Sequence, residues 1–279
     1  MSYRSFIQLD KVYVAESLFD DDYNTTRDIL DSVIYSRNKP SWFEVENFQI
    51  GSKEDLNSFF NLIKKEVKED NRFPIIHLEM HGHENKNSVV LNNRQEVKWN
   101  YLIKRFEEIN VLTQLNLVVF LGACFGLNIL KVFGPSSRAP FFGLLAPHQE
   151  IPPTTLSKYY KTFYKELFAS NNFTTAIDRV KEEKLDNISY ISAGAYYKLY
   201  IQSYFKKIRK PERRNEKIKK LVDNTLSERD YKYLDKERLT ILYSLKTPQL
   251  ENELHDELFS KFFMTDLYPT NEKRFEILK

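Results

Sequence analysis

The apolar positions of this chain follow two alternating patterns: short β-branched or aromatic runs, and longer stretches in which they recur every three or four residues. Lys11 to Ala15 is a run of the first kind and reads as a buried strand. Asp20, Asp21 and Asp22 follow as a solvated turn. Asn24 or Thr25 can then cap a helix in which Ile29, Leu30, Val33 and Ile34 share a face, until Lys39 and Pro40 stop it. The alternation repeats: Val45 to Ile50 reads as a second strand, Ser52 with Asp55 resembles a capping box, and Leu56, Phe59, Phe60 and Ile63 line a second helix.

Pro74 introduces Ile75 to Met80, a third strand expected to end against His81 and Gly82, and a polar hairpin-like stretch separates it from a helix over Trp99 to Glu108. Leu117 to Leu121 is the most continuous apolar run of the chain and reads as a central parallel strand covered on both faces. It ends at Gly122, Ala123, Cys124, Phe125 and Gly126. Phe141 to Ala146 predicts a further strand. Leu156, Tyr159, Tyr160, Phe163 and Leu167 predict an amphipathic helix, and another starts at Thr174 or Thr175 and runs to the region of Lys184.

Strands alternating with helices at this spacing predict an α/β fold over residues 1–204, a three-layer α/β/α sandwich around a mostly parallel sheet. Beyond Tyr204 the strand signals stop. Residues 205–279 read as a helical C-terminal extension, with Pro211 and Pro248 as breaks.

Composition narrows this picture. A hydrophobic fraction of 42% over 279 residues supplies a core for one large or two small domains. No apolar run approaches the roughly 18 residues needed to cross a bilayer, and Met1-Ser2-Tyr3-Arg4 lacks the apolar core of a secretory signal, so the expected location is cytoplasmic, away from membranes. The formal charge of +3 is small for a chain of this size and by itself gives little support for a dedicated nucleic-acid binder. The basic residues nevertheless concentrate in Lys206 to Lys220, where a solvated helix face is the plain reading and contact with nucleic acid or an acidic protein the alternative. A single cysteine, Cys124, excludes an internal disulfide and leaves packing or chemistry.

His81 and Cys124 each close an apolar strand of the predicted sheet, and ligands of such sheets sit at the carboxyl ends of strands. A cysteine nucleophile needs a nearby base, which an adjacent strand can deliver. Gly82 and Gly126 would let the backbone turn sharply and a substrate carbonyl approach, making the backbone N–H groups of Gly82 and Cys124 candidate oxyanion donors. A buried structural thiol and an ordinary loop histidine are the plain alternatives; the paired strand ends favour chemistry. His77, Glu79 and His81 share one face of an extended strand, with His83 nearby, which raises a metal site. Gly82 should interrupt the strand before His83 and no fourth ligand is placed, so no metal is assigned. His77 and Glu79 are instead expected to pack or hydrogen-bond behind the pair, and Glu84 is a candidate for orienting a histidine. His148 and Glu150 fall in a loop beside the expected cleft and receive no catalytic role.

An apolar strand ending in His81-Gly82, followed by one ending in Ala123-Cys124, resembles the caspase-like cysteine peptidases, which include caspases, separase, gingipains and legumains. Gly143 to His148, Pro153 to Ser157, Phe163-Tyr164 with Leu167, and Ala176-Ile177 further resemble CHAT domains, caspase-like domains related to separase. Pro147 or His148 stands where those domains carry a tryptophan. The resemblance covers roughly Lys11 to Tyr200 and leaves Lys206 to Lys279 outside. It implies a thiol protease, a hydrolase acting on a protein substrate, with His81 as general base and acid, Cys124 as nucleophile and no cofactor. By the same analogy, small microbial CHAT proteins act in antiviral defence or cell death under an upstream sensor, and activation would involve another chain or a loop such as Pro135 to Pro140. The competing expectation is a non-proteolytic adaptor on this fold whose basic helical tail binds nucleic acid or an acidic protein.

Overall fold

The computed structural model describes residues 7–34, 36, 38–183, 187–208, 210, 212, 215–216, 218–219, 222–223, 240 and 247–278. The first elements are β1 (Lys11–Ser17), α1 (Thr25–Ile34), β2 (Glu44–Gln49), α2 (Lys53–Asp70), β3 (Pro74–Gly82), β4 (Ser88–Val90) and β5 (Glu96–Lys98). They are followed by α3 (Trp99–Leu112), β6 (Val118–Gly122), β7 (Gly143–Pro147), α4 (Pro153–Ser170), α5 (Phe173–Glu182), β8 (Ile188–Ser192) and α6 (Ala193–Ile208). The caps anticipated for the first two helices form. Asn24 Oδ1 accepts from the Arg27 N–H at 2.7 Å and Ser52 Oγ from the Asp55 N–H at 3.1 Å, each satisfying a first-turn donor that the helix itself cannot.

The sheet runs in the order β2-β1-β3-β6-β7-β8. Pairing is parallel from β2 through β7, and β8 closes the edge antiparallel to β7. Helices cover both faces. Tyr13 of β1 donates to Glu66 of α2 at 2.7 Å, and Phe60 of α2 meets Phe106 of α3 at 5.7 Å between ring centroids. On the opposite face, His77 of β3 and Phe120 of β6 pack on Tyr160 and Phe163 of α4. The result is the predicted three-layer α/β/α arrangement.

The structure changes some local expectations. β8 adds a strand beyond those the sequence pattern predicts. β3 does not stop ahead of His81: the strand runs through Gly82, and the β4–β5 hairpin pairs antiparallel with its end, His81 against Val90 and Gly82 against Val89. The left-handed residue after β6 is not glycine but Phe125, at φ 60°, which opens a 3-10 helix from Gly126 to Val132.

The described chain forms two compact units, Met1–Gly134 with Arg138–Ala193, and Pro135–Ser137 with Gly194–Lys279. The first holds the sheet. The second contains α6 beyond Ala193, α7 (Thr247–Phe262) and α8 (Thr270–Phe275), with an aromatic centre in which Tyr197 meets Phe263 at 4.9 Å and Phe263 stacks on Phe275 at 4.3 Å. In the basic run, Lys206, Lys207, Lys210 and Lys219 are exposed; Arg209, Pro211, Arg213, Arg214, Lys217 and Lys220 lie outside the described residues. Among the described residues no helix is long and apolar enough to cross a membrane.

Candidate active site

The register of the two central strands brings the predicted pair to one place. Glu79 of β3 lies opposite Gly122 of β6, and His81 and Cys124 each sit two residues further along parallel neighbouring strands. Both side chains line one cleft of about 150 Å³, together with Asp22, Tyr23, Glu79 and Gly122. Leu18, Ile151 and Leu156 supply apolar walls. His81 and Cys124 are both partly exposed, as reactive groups open to a substrate must be.

Two glycines allow this approach. A Cβ on Gly82 would lie 1.9 Å from the Cys124 carbonyl oxygen, so the end of β3 presses directly on the backbone of the cysteine turn. A Cβ on Gly122 would lie 2.1 Å from Glu79 Oε1. Any side chain at 122 would displace that carboxylate, and its absence lets Glu79 reach the floor of the cleft. A Cβ on Gly126, by contrast, would lie 3.1 Å from the Leu121 side chain, away from the cleft residues. The sharp turn attributed to it is made by Phe125, whose N–H donates to the Gln149 carbonyl and whose ring lies under the Lys86 ammonium at 4.4 Å. Gln149 belongs to the loop that carries His148 and Glu150. That loop meets the cleft through Ile151, while His148 and Glu150 themselves are exposed.

Behind the cleft lies a buried polar chain. Tyr164 of α4 donates its hydroxyl to His77 Nδ1 at 3.0 Å, His77 Nε2 donates to Glu79 Oε1 at 2.8 Å, and Thr25 at the start of α1 donates to Glu79 Oε2 at 2.5 Å. Burial and the nearby Glu79 charge hold the Tyr160 and Tyr164 phenols well above the usual tyrosine range, so both keep their protons. Both ring nitrogens of His77 are occupied within this chain. Removing one partner of such a pair strands the other in the interior. Glu79→Ala is therefore expected to lower the unfolding free energy by about 1–3 kcal/mol, measured by urea denaturation.

The group on His81 is not Glu84, which is exposed beyond the strand end, but Asp22. His81 Nε2 donates to Asp22 Oδ2 at 2.6 Å, and the same oxygen accepts from the Phe19 N–H at 2.6 Å. The Phe19 ring stacks on the imidazole at 4.5 Å and 14°, and the Arg94 guanidinium lies 4.1 Å over that ring. Asp22 is thus a ligand of the histidine rather than part of a freely solvated turn. The strand-end rule could have located it, since Ser17 of β1 pairs with Met80 and the loop leaving β1 must pass His81.

No family model matches this chain, and no curated protein matches it. Among solved structures the chain is similar to the Drosophila initiator caspase Dronc, with 13% sequence identity and a TM-score of 0.49 over 65% of this chain and 79% of that one.

Proposed function

We propose that the protein is a caspase-like cysteine peptidase in which Cys124 is the nucleophile and His81 the general base and acid. The observation that carries this reading is the strand register that lines one cleft with both side chains. A buried structural thiol has no need of an accessible cleft, a histidine at the neighbouring strand end or a carboxylate on that histidine.

The chemistry follows from the groups present and balances without a cofactor. His81 takes the Cys124 proton, and the thiolate sulfur bonds to the carbonyl carbon of the scissile peptide. Charge develops on the carbonyl oxygen, for which the backbone N–H groups of Cys124 and Gly82 are the candidate donors. The C–N bond then breaks as His81 returns its proton to the departing amine. Water attacks the thioester and gives a proton to His81, the C–S bond breaks, and the thiol is restored. The substrate is a protein segment able to enter a cleft with both apolar and polar walls. The finer form of the proposal is a CHAT-type role in defence under an upstream sensor, supported by the sequence resemblance, in the cytoplasm, supported by the apolar pattern of the chain and its first residues.

A thiol-directed peptidyl probe tests this reading. Mass spectrometry is expected to find the adduct on Cys124 in the wild-type protein, with labelling slowed in His81→Ala. Labelling equally fast in His81→Ala would remove the histidine from the mechanism.

A further inference from the structure

From the geometry around His81 we infer that Asp22 is a positioning residue of the reaction, the third member of a Cys124–His81–Asp22 relay held by the loop between β1 and α1. This rests on the peptidase reading and adds to it the group that sets which nitrogen of His81 acts. A carboxylate can only accept, so its 2.6 Å contact fixes the proton on Nε2 and leaves Nδ1 as the basic nitrogen.

The loop is built to hold this arrangement. Asp22 and Phe19 exchange contacts in both directions, the Asp22 N–H donating to the Phe19 carbonyl at 3.0 Å and the Phe19 N–H to the Asp22 carboxylate. The carboxylate is therefore fixed by its own turn before it meets the histidine. Phe19 covers the imidazole, and the β4–β5 turn is tied to the end of β1 by the Asn92 N–H donating to Ser17 Oγ at 2.8 Å, with Arg94 over Phe19. The ring is thus held by its edge and by its face. When His81 becomes an imidazolium during attack, Asp22 supplies the opposite charge at hydrogen-bond distance.

The test compares kcat and KM of wild type, Asp22→Asn, Asp22→Glu and Cys124→Ala in peptide hydrolysis, with thermal melts as a fold control. Asp22→Asn keeps the shape and removes the charge. It is expected to lower kcat about 10- to 100-fold, with KM within about twofold, because the imidazolium formed during attack has lost its counter-charge. Asp22→Glu should restore part of the rate. A kcat unchanged in Asp22→Asn, with Cys124→Ala inactive, would overturn the role of Asp22 and leave the peptidase reading standing. Cleavage surviving in Cys124→Ala would overturn both. A second readout does not depend on turnover: proton NMR of the resting protein should show a slowly exchanging, downfield Nε2–H signal of His81 that is lost in Asp22→Ala. The same signal in the variant would contradict the assignment.

Discussion

Replacing Cys124 by alanine should reduce peptide hydrolysis about 10,000-fold or more, and His81→Ala should cost about 100- to 10,000-fold. The two effects should not multiply in the double variant. The side chains act as a unit, the imidazole serving only to take and return the proton of this thiol, so loss of either leaves little for the other to contribute. Both residues are partly exposed at strand ends, and neither belongs to the packed core. The melting profiles of the single variants should accordingly stay within about 1 kcal/mol of wild type. Steady-state hydrolysis and a denaturant titration on the same samples separate loss of chemistry from loss of fold.

Gly82→Val is the second large effect, and its cause is steric rather than chemical. The first carbon of any side chain at this position would meet the Cys124 carbonyl at 1.9 Å, far inside van der Waals contact, and the obstacle is backbone that cannot rotate away. Either the end of β3 or the cysteine turn must move by an ångström or more. A displacement of that size between nucleophile and base is expected to cost at least about 100-fold in kcat. Forcing the extra volume into the strand junction should add about 1–3 kcal/mol of destabilisation. Measured together, the two readouts identify the variant: Cys124→Ala loses rate without stability, Gly82→Val loses both. Wild-type kcat in Gly82→Val would show that the junction between residues 82 and 124 does not position the site.

Much of this arrangement can be read from the sequence because strand chemistry has period two. His77, Glu79 and His81 alternate along an apolar run, so their common face follows from the pleat. The uninterrupted run before Gly122 marks a strand buried on both sides. What escapes is whatever depends on neighbours distant in the chain. Asp22 lies in a run of three aspartates that looks solvated, and only the pairing of β1 with β3 brings its last member to the histidine. Gly122 reads only as the end of an apolar run, yet its role is to leave room for a carboxylate from the adjacent strand. Phe125 adopts a left-handed conformation costly for a bulky side chain, held by a lysine and a carbonyl from other segments, and a glycine one position later draws the eye instead. β8 is five residues leading straight into a helix, too short for its alternation to stand out, and it forms because β7 offers an open edge.

The most direct test of the Cys124–His81 assignment is to incubate a peptide library with the wild-type protein and with Cys124→Ala, and to identify new termini by mass spectrometry. The predicted result is a defined set of cleavages in the wild-type digest that is absent from the Cys124→Ala digest. The same cleavages in both digests, or neither cleavage nor a peptidyl adduct on Cys124 in the wild type, would contradict it.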